Sequence, residues 1–572
     1  MPESTQAPVT EAKRQSRWNR TKATAGLNEY EAARKTGVSQ RQFAQKRDIA
    51  RTTLQYWKQR QQNIEASDAA VSFFESPEGL LCLHRIVLAA QLVMTAMGAC
   101  GVRLVCLFLN LSGLNAFVAS SYGSQYKAAV ELEEGLVRYG QEQGQSLGAE
   151  MATKAITACL DETFHPEVCL VAIEPASNFI LLEAYAQSRD AASWKQHLGQ
   201  SVKSLPVQII QVTSDAASAL LRYAREGLGV HHSPDLFHVQ QDLVRATALP
   251  LERKRRQALE ALAQTQAQTA KFRAKRDRYY RRPQRLGRPP NFEQWIQESE
   301  AAEAAAQLVV NTAQTQQQQV RAAIQGISQA YHPLDLQTGA LRSPEQVETD
   351  LKRHFGVIEQ VVSESGLSEQ SHLEFAKAKR QLPQMVDTIR CFHQHLQARV
   401  PANAWSADIE QAFQQKLLPA VYLNRVAAQT SDTSARQALR AQADLLLQPL
   451  RQANASVQSL TSDERQQLES LAQSCTELFQ RSSSCVEGRN GQLALRHHSF
   501  HRLSQRKLQA LTTIHNYFLH RSDGTTAAER FFGRKPLPLF DWLLQMLPLP
   551  ARPAKKRPQM PKQNLLDVSA AA

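Results

Sequence analysis

The stretch "ACLDETFHPEVCLVAIEP", residues 158–175, sets Asp161 and Glu162 directly behind one apolar run and in front of a second, strand-like one. A carboxylate left unpaired among apolar residues is costly, so its presence points to a metal, a cation or a catalytic task. Working outward, "ITACLDE" (156–162), "VCLVAIE" (168–174) and "FILLEAY" (179–185) read as three short strands, punctuated by Pro166, Pro175 and Asn178. A helix, "DAASWKQHLGQSV" (190–202), opens on the cap-like Asp190, and a fourth strand, "VQIIQVTSD" (207–215), closes on a second carboxylate, Asp215. The amphipathic "AASALLRYAREG" ends at Gly227, and "HHSPDLFHVQQDL" begins the next segment.

Three strands, a helix, a strand and a helix, with acids at the ends of the first and fourth strands, is the order of an α/β ribonuclease H-like core. In that topology the first and fourth strands are parallel neighbours, which stands Asp161 beside Asp215. Two carboxylates that close repel unless divalent ions lie between them, so the pair reads as a magnesium site. Glu162, the next residue along the strand, points to the opposite face and reads as structural.

The chain of 572 residues is too long for one ordinary domain. Its formal charge of +14 is clustered: residues 1–62 hold 13 Lys/Arg against 5 acids, and residues 251–290 hold 13 against 3. A polyanionic partner follows from that clustering. Eight cysteines without a C-x-x-C pair read as free thiols, and the histidines of "HHSPDLFH" and "RHHSFH" match no standard zinc spacing. The apolar segment 86–102 contains Gln91 and has no second span beside it, so it reads as part of a buried helix pair over 79–119, with no membrane as partner.

In "FAQKRDIARTTLQYW" a small Ala44 sits where two helices cross, Asp48 and Ile49 form a break, and Thr53, Leu54 and Trp57 share a face of the next helix. This is the pattern of an N-terminal helix-turn-helix, whose outer face would offer Arg51, Thr52 and Gln55 to base edges and Lys58 and Arg60 to phosphates. A solvated basic hairpin is the competing reading. Between Asp215 and Glu487 lie 271 residues, which requires an insertion. Its Gln-, Ala-, Lys- and Arg-rich first part reads as long helices or a coiled-coil hairpin, its later part as amphipathic helices anchored by Trp405 and Phe413.

Taken together these residues resemble the bacterial DDE transposases. Beyond the two acids, "DLFH" places Asp235 and His238 in the C/D-x-x-H pattern of transposases similar to the hAT and Mutator groups. "SSSCVEGRNGQLAL" (482–495) offers Glu487 with Arg489 and Asn490 beside it, and "DGTTAAERFFGRKPLPLF" (523–540) looks like a C-terminal closing motif of such enzymes. The resemblance implies a DNA transposase that cleaves and transfers strands at the ends of a mobile element. It implies two Mg2+ ions, replaceable by Mn2+, held by catalytic Asp161, Asp215 and Glu487, with Asp161 bridging. Asp235, His238, Arg489 and Asn490 would then support them, His238 having a packed core histidine as its alternative. Double-stranded DNA and further copies of the chain are the implied partners, a small-molecule substrate is not, and the location is cytoplasmic, on a bacterial nucleoid. Asp463, Glu464, Glu469 and Glu477 remain alternatives for the third acid. A catalytically retired DNA-binding protein and a ribonuclease H-like nuclease remain alternatives for the whole.

The expected organisation is a disordered basic arm (1–26), a helix-turn-helix domain (27–65), a helical domain (66–150), the first part of the core (151–244), an α-helical insertion (245–475), the last part of the core (476–548) and a flexible basic tail (549–572).

Overall fold

A computed structural model describes residues 20–164, 166–283, 287–400, 405–500 and 502–553. It is mostly helical with one small five-stranded sheet. Contacts divide the chain into two units, the first drawn from Met1–Met151, Glu183–Tyr185 and Gly491–Ala572, the second from Ala152–Leu182 and Ala186–Asn490.

In the first unit, three short helices, Arg20–Lys35, Gln40–Lys46 and Arg51–Gln62, close on a small core of Leu27, Tyr30, Phe43 and Leu54. The first of these helices takes in Arg20–Gly26, which the sequence places in the disordered arm, while residues 1–19 of that arm lie outside the described residues. Ala44 is buried at the crossing, and Asp48, at φ 51°, makes the break between the second and third helices. A reciprocal cap between Ser39 and Gln42 starts the second helix. The apolar segment forms the helix Pro77–Gln91, which runs on through a wider turn to Met97, followed by the helix Val102–Leu111. Pro77–Met97 is long and apolar enough to cross a membrane by composition, yet more than half of its most apolar window is buried inside the protein. Leu83 and Val87 pack there with Val105, Leu109 and Phe117.

The C-terminal motif belongs to this same unit. Thr526 and Glu529 cap the helix Ala527–Phe532, and Gly533, at φ 69°, ends it in the left-handed conformation that glycine tolerates best. Leu537 then ties to the helix Tyr122–Ala149, its N–H donating to Gln143 and its carbonyl accepting from the Tyr139 hydroxyl. Residues 491–548, expected in the last part of the core, fall in one unit with the N-terminal helices and with Glu183–Tyr185 of the third strand of the sheet. The start of the expected flexible tail is also pinned: Ala551 O accepts from Ala119 N at 2.8 Å, and Arg552 pairs with buried Glu75. Residues 554–572 lie outside the described residues.

The sheet has the strands β1 (Lys154–Phe164), β2 (Val168–Glu174), β3 (Phe179–Ala186), β4 (Val207–Ser214) and β5 (His231–Pro234), in the order β3-β2-β1-β4-β5, and all of it but Glu183–Tyr185 belongs to the second unit. β1 runs antiparallel to β2 and parallel to β4, which in turn is parallel to β5. Runs of Val, Ile, Leu and Cys buried along the middle of β1 and most of β2 mark them as inner strands. Trp194, on the helix Ala191–Val202, is fully buried and stacks on Tyr223 at 6.3 Å.

Two features depart from expectation. β1 continues to Phe164 because β2 keeps pairing with it as far as Phe164↔Val168, so Asp161 lies inside the strand. β5 is an additional edge strand, too short and too mixed in character to show a period in sequence.

Residue 245, the expected start of the insertion, lies within a helix. That helix, Leu236–Tyr280, leaves β5 directly with Asp235 as its N-cap and returns as the helix Phe292–Ala330. Contacts Gln240–Ile324, Glu252–Gln317 and Thr269–Ser299 show an antiparallel hairpin. The remaining insertion helices bury Phe355, Ile389, Phe392, Phe413 and Phe479 in one core, against which Ile210 of β4 and Trp405 also pack. These helices belong to the second unit.

Candidate functional site

The parallel pairing of β1 with β4 positions the two aspartates. Lys154↔Val207 through Ile156↔Ile209 share one register, and then a bulge shifts it so that Thr157 faces Gln211 and Cys159 faces Thr213. The extra residue is Ile210. Continued two residues, the shifted register sets Asp161 level with Asp215, which follows directly on β4. Without the bulge Ser214 would stand there, since a one-residue slip exchanges the faces of a strand.

Glu487, expected to be the third acid, lies on the helix Ser484–Phe500. Its N-terminus is fastened by Asp235, whose side chain is fully buried. One carboxylate oxygen of Asp235 accepts from its own helix at Phe237 N (2.8 Å), and the other accepts from both the N–H and the hydroxyl of Ser483. Ser483 O in turn accepts from the N–H groups of Val486 and Glu487. One turn beyond Glu487, Asn490 Nδ2 donates to Asp161 Oδ2 at 2.8 Å. The helix carrying Glu487 is thereby tied at one end to the DLFH turn and along its length to β1. Arg489 is buried on it.

His238, one turn into the hairpin helix and partly exposed, lies 3.1 Å from Glu487 Oε1 and 3.9 Å from Asp235 Oδ2. Among the described residues Asp235, His238 and Glu487 form a group whose ligand atoms all lie within 4.8 Å of one another. Asp161, Asp215 and Glu487, the set expected from sequence, do not form such a group in this conformation. The reason is visible in the partners: Glu487 leans to His238, and Asp161 to Asn490.

Electrostatics join what these distances leave apart. Burial pushes the Asp161 carboxyl up to about 7, the Glu162 N–H pulls against it, the charges of Asp215 and Glu162 push the same way as burial, and His238 pulls down. Asp215 is raised by burial too, against the Ala217 N–H, His238, Lys377 and Arg189. Glu487 is raised by burial and held back by His238. His238 thus acts on all three carboxyls. Glu162, read from sequence as structural, lies near Trp194 and Arg189 and is raised by burial and by Asp215, so it belongs to the same field.

The site fits a cation. Asn490 Oδ1 is buried and accepts no hydrogen bond, Glu487 Oε1 is buried with His238 beside it at 3.1 Å, and the acids here are raised together. A surplus of buried negative charge with open oxygen acceptors is the donor set that hard divalent ions take. Asp235, by contrast, has its oxygens committed to Phe237 and Ser483 and serves to position.

Of the residues expected to face DNA, Arg51, Thr52 and Gln55 are exposed on the third N-terminal helix. Lys58 lies over the Tyr30 ring at 5.9 Å, and Arg60 donates to Pro553 O at 2.5 Å, so these two are engaged within the protein. Ser483 and the Ile210 bulge were missed in sequence. The run "RSSSC" before an apolar residue is a helix-start signal that would have found Ser483, whereas nothing marks Ile210.

Residues 413–559 match the model of a family described as a family of unknown function (DUF6399). The match takes in Glu487, Asn490 and the C-terminal motif. No curated protein and no solved structure matches the chain.

Proposed function

We propose that this protein is a DNA transposase of the DDE type, a divalent-metal-dependent polynucleotidyl transferase acting at the ends of a mobile element. The observation that carries the reading is the bulged β1–β4 register that levels Asp161 with Asp215, together with the Asn490 contact that brings the Glu487 helix to the same strand. The strand order, three strands continued by two parallel ones, supports a ribonuclease H-like core, and the three N-terminal helices support a helix-turn-helix.

Asp161, Asp215 and Glu487 would hold the metal, Mg2+ or Mn2+. Bound there, such ions would supply Lewis-acid activation of an attacking oxygen and charge stabilisation of the leaving one. Water attacks a backbone phosphorus in line and the 3′ oxygen leaves; the released 3′-hydroxyl then attacks a phosphorus of the target strand and expels its 3′ oxygen in turn. Within this scheme Asp235 and Ser483 hold the Glu487 helix, Asn490 orients Asp161, and His238 keeps the carboxyls from taking up protons. Arg51, Thr52 and Gln55 read the duplex, and the basic balance of the chain supplies phosphate affinity. Double-stranded DNA and other copies of the chain are the partners.

The test is strand cleavage and joining on a labelled duplex carrying the element's ends, with Mg2+ or a chelator. Specific binding with no cleavage at any metal concentration would favour a retired DNA-binding protein, and cleavage without end preference a nuclease.

A further inference from the structure

The turn of the long hairpin lies at the far end of a 45-residue helix, a rise of about 65 Å from the DLFH turn. Five aromatic rings gather there. Phe292 is buried at their centre, with Tyr279 at 5.3 Å, Tyr280 at 6.3 Å and Trp295 at 5.5 Å, and Phe272 lies 5.9 Å from Trp295. A cluster serving only to staple two helices would bury its members. Here Tyr280 is 64% exposed and Trp295 38%.

The charges around the rings are equally one-sided. Arg273 and Arg276 are answered by Glu300, Asp277 and Glu293. Arg278, Arg281 and Arg282 are exposed and have no acidic partner among the described residues. Exposed rings braced by a buried one, beside unanswered guanidinium groups, form a stacking platform with phosphate contacts.

We infer that this hairpin tip binds single-stranded nucleic acid, stacking an unpaired base on Tyr280 and holding the adjoining phosphates with Arg278, Arg281 and Arg282. The rings decide for a single strand over a duplex: stacking on a side chain needs a base face that a duplex keeps covered by its neighbours, while guanidinium groups serve both. The inference goes beyond the proposed reading, being carried by the rings and charges of the tip itself. Its test is independent of cleavage.

Full-length protein in chelator is titrated against a fluorescent mixed-sequence 30-mer, single-stranded or as a duplex, by anisotropy. Tyr280→Ala should weaken single-strand binding about 5- to 100-fold, the loss expected for one stacked base, and change duplex binding little. Tyr280→Trp should restore it, which separates stacking from misfolding. Replacing Arg278, Arg281 and Arg282 with Gln should weaken both and lower the dependence on log salt by about two. Equal affinity of Tyr280→Ala and wild type for the single strand would overturn the inference, as would equal losses on strand and duplex. Binding of an acidic protein in place of the oligonucleotide would overturn it as well. Asp161→Asn, which removes cleavage under the proposed function, should leave these titrations unchanged, so either reading can fail alone.

Discussion

Asn490 and Asp161 stand 329 positions apart in sequence and meet at 2.8 Å, amide to carboxylate. The contact joins a strand of the sheet to the helix of the third acid. It also occupies one oxygen of the carboxylate that the proposed chemistry would use.

Without metal, Asp161 is therefore a liability to the fold. Its carboxyl is raised to about 7, so the native state binds the proton more tightly than the unfolded chain, and this group's stabilisation is lost as pH rises from about 4 to 7. Asp161→Asn removes that penalty, and Asn490, whose Oδ1 has no partner as it stands, can turn its amide to accept from the new one. The variant should melt higher than wild type in chelator at pH 8, by an amount on the order of 1–3 kcal/mol. Addition of Mg2+ should raise the wild type alone. Thermal melts with and without chelator check both.

Ser483 acts through Asp235. Ser483→Ala takes the hydroxyl from a carboxylate with no access to water, at a cost of ~1–3 kcal/mol, and loosens the start of the Glu487 helix. Cleavage should fall by roughly 10- to 100-fold in kcat with DNA affinity unchanged. Ser483→Thr should recover most of it. A fall in affinity with kcat intact would point to a role in holding DNA.

His238 restrains the proton affinity of Asp161, Asp215 and Glu487. His238→Ala should shift the acid limb of the cleavage pH profile upward, because carboxyls without that neighbour stay protonated to higher pH. Activity lost equally at every pH would assign His238 to contact with the substrate.

The edge strand carries a second pH dependence. Burial holds His231 and His232 at about 4, below their ordinary value. Asp387 pulls His231 up while His395 and Arg225 push it down, and His232 feels His231 and Arg225. The unfolded chain takes up these protons first, so stability should fall as pH drops from 6.5 to about 4, by roughly 3 kcal/mol per imidazole at most. Denaturant titrations across that window should show a shallower slope for the His231→Gln, His232→Gln double variant.

These residues also show how far sequence reading reaches. β1 to β4 were legible because apolar runs bounded by Pro, Asn and Asp are local signals, and Asp215 announced itself by closing such a run. The register was not legible: one extra residue at Ile210 decides what faces Asp161, and nothing distinguishes Ile210 from the apolar residues around it. Glu487 is singled out in sequence by the Arg-Asn that follows it, and of that pair Asn490 makes the contact to Asp161. Arg60 reads as a phosphate ligand from its charge, and only tertiary contact with Pro553 shows where it is spent. The boundary expected at residue 245 falls inside the helix from Leu236, which runs through without a break and carries Pro250 inside it.

The most direct measurement is Mg2+-dependent nicking of a linear duplex carrying the element's own ends, wild type beside Asp161→Asn. The account predicts cleavage by the wild type that disappears in chelator and in the variant, with both proteins binding the duplex equally. Cleavage that survives in Asp161→Asn would contradict it.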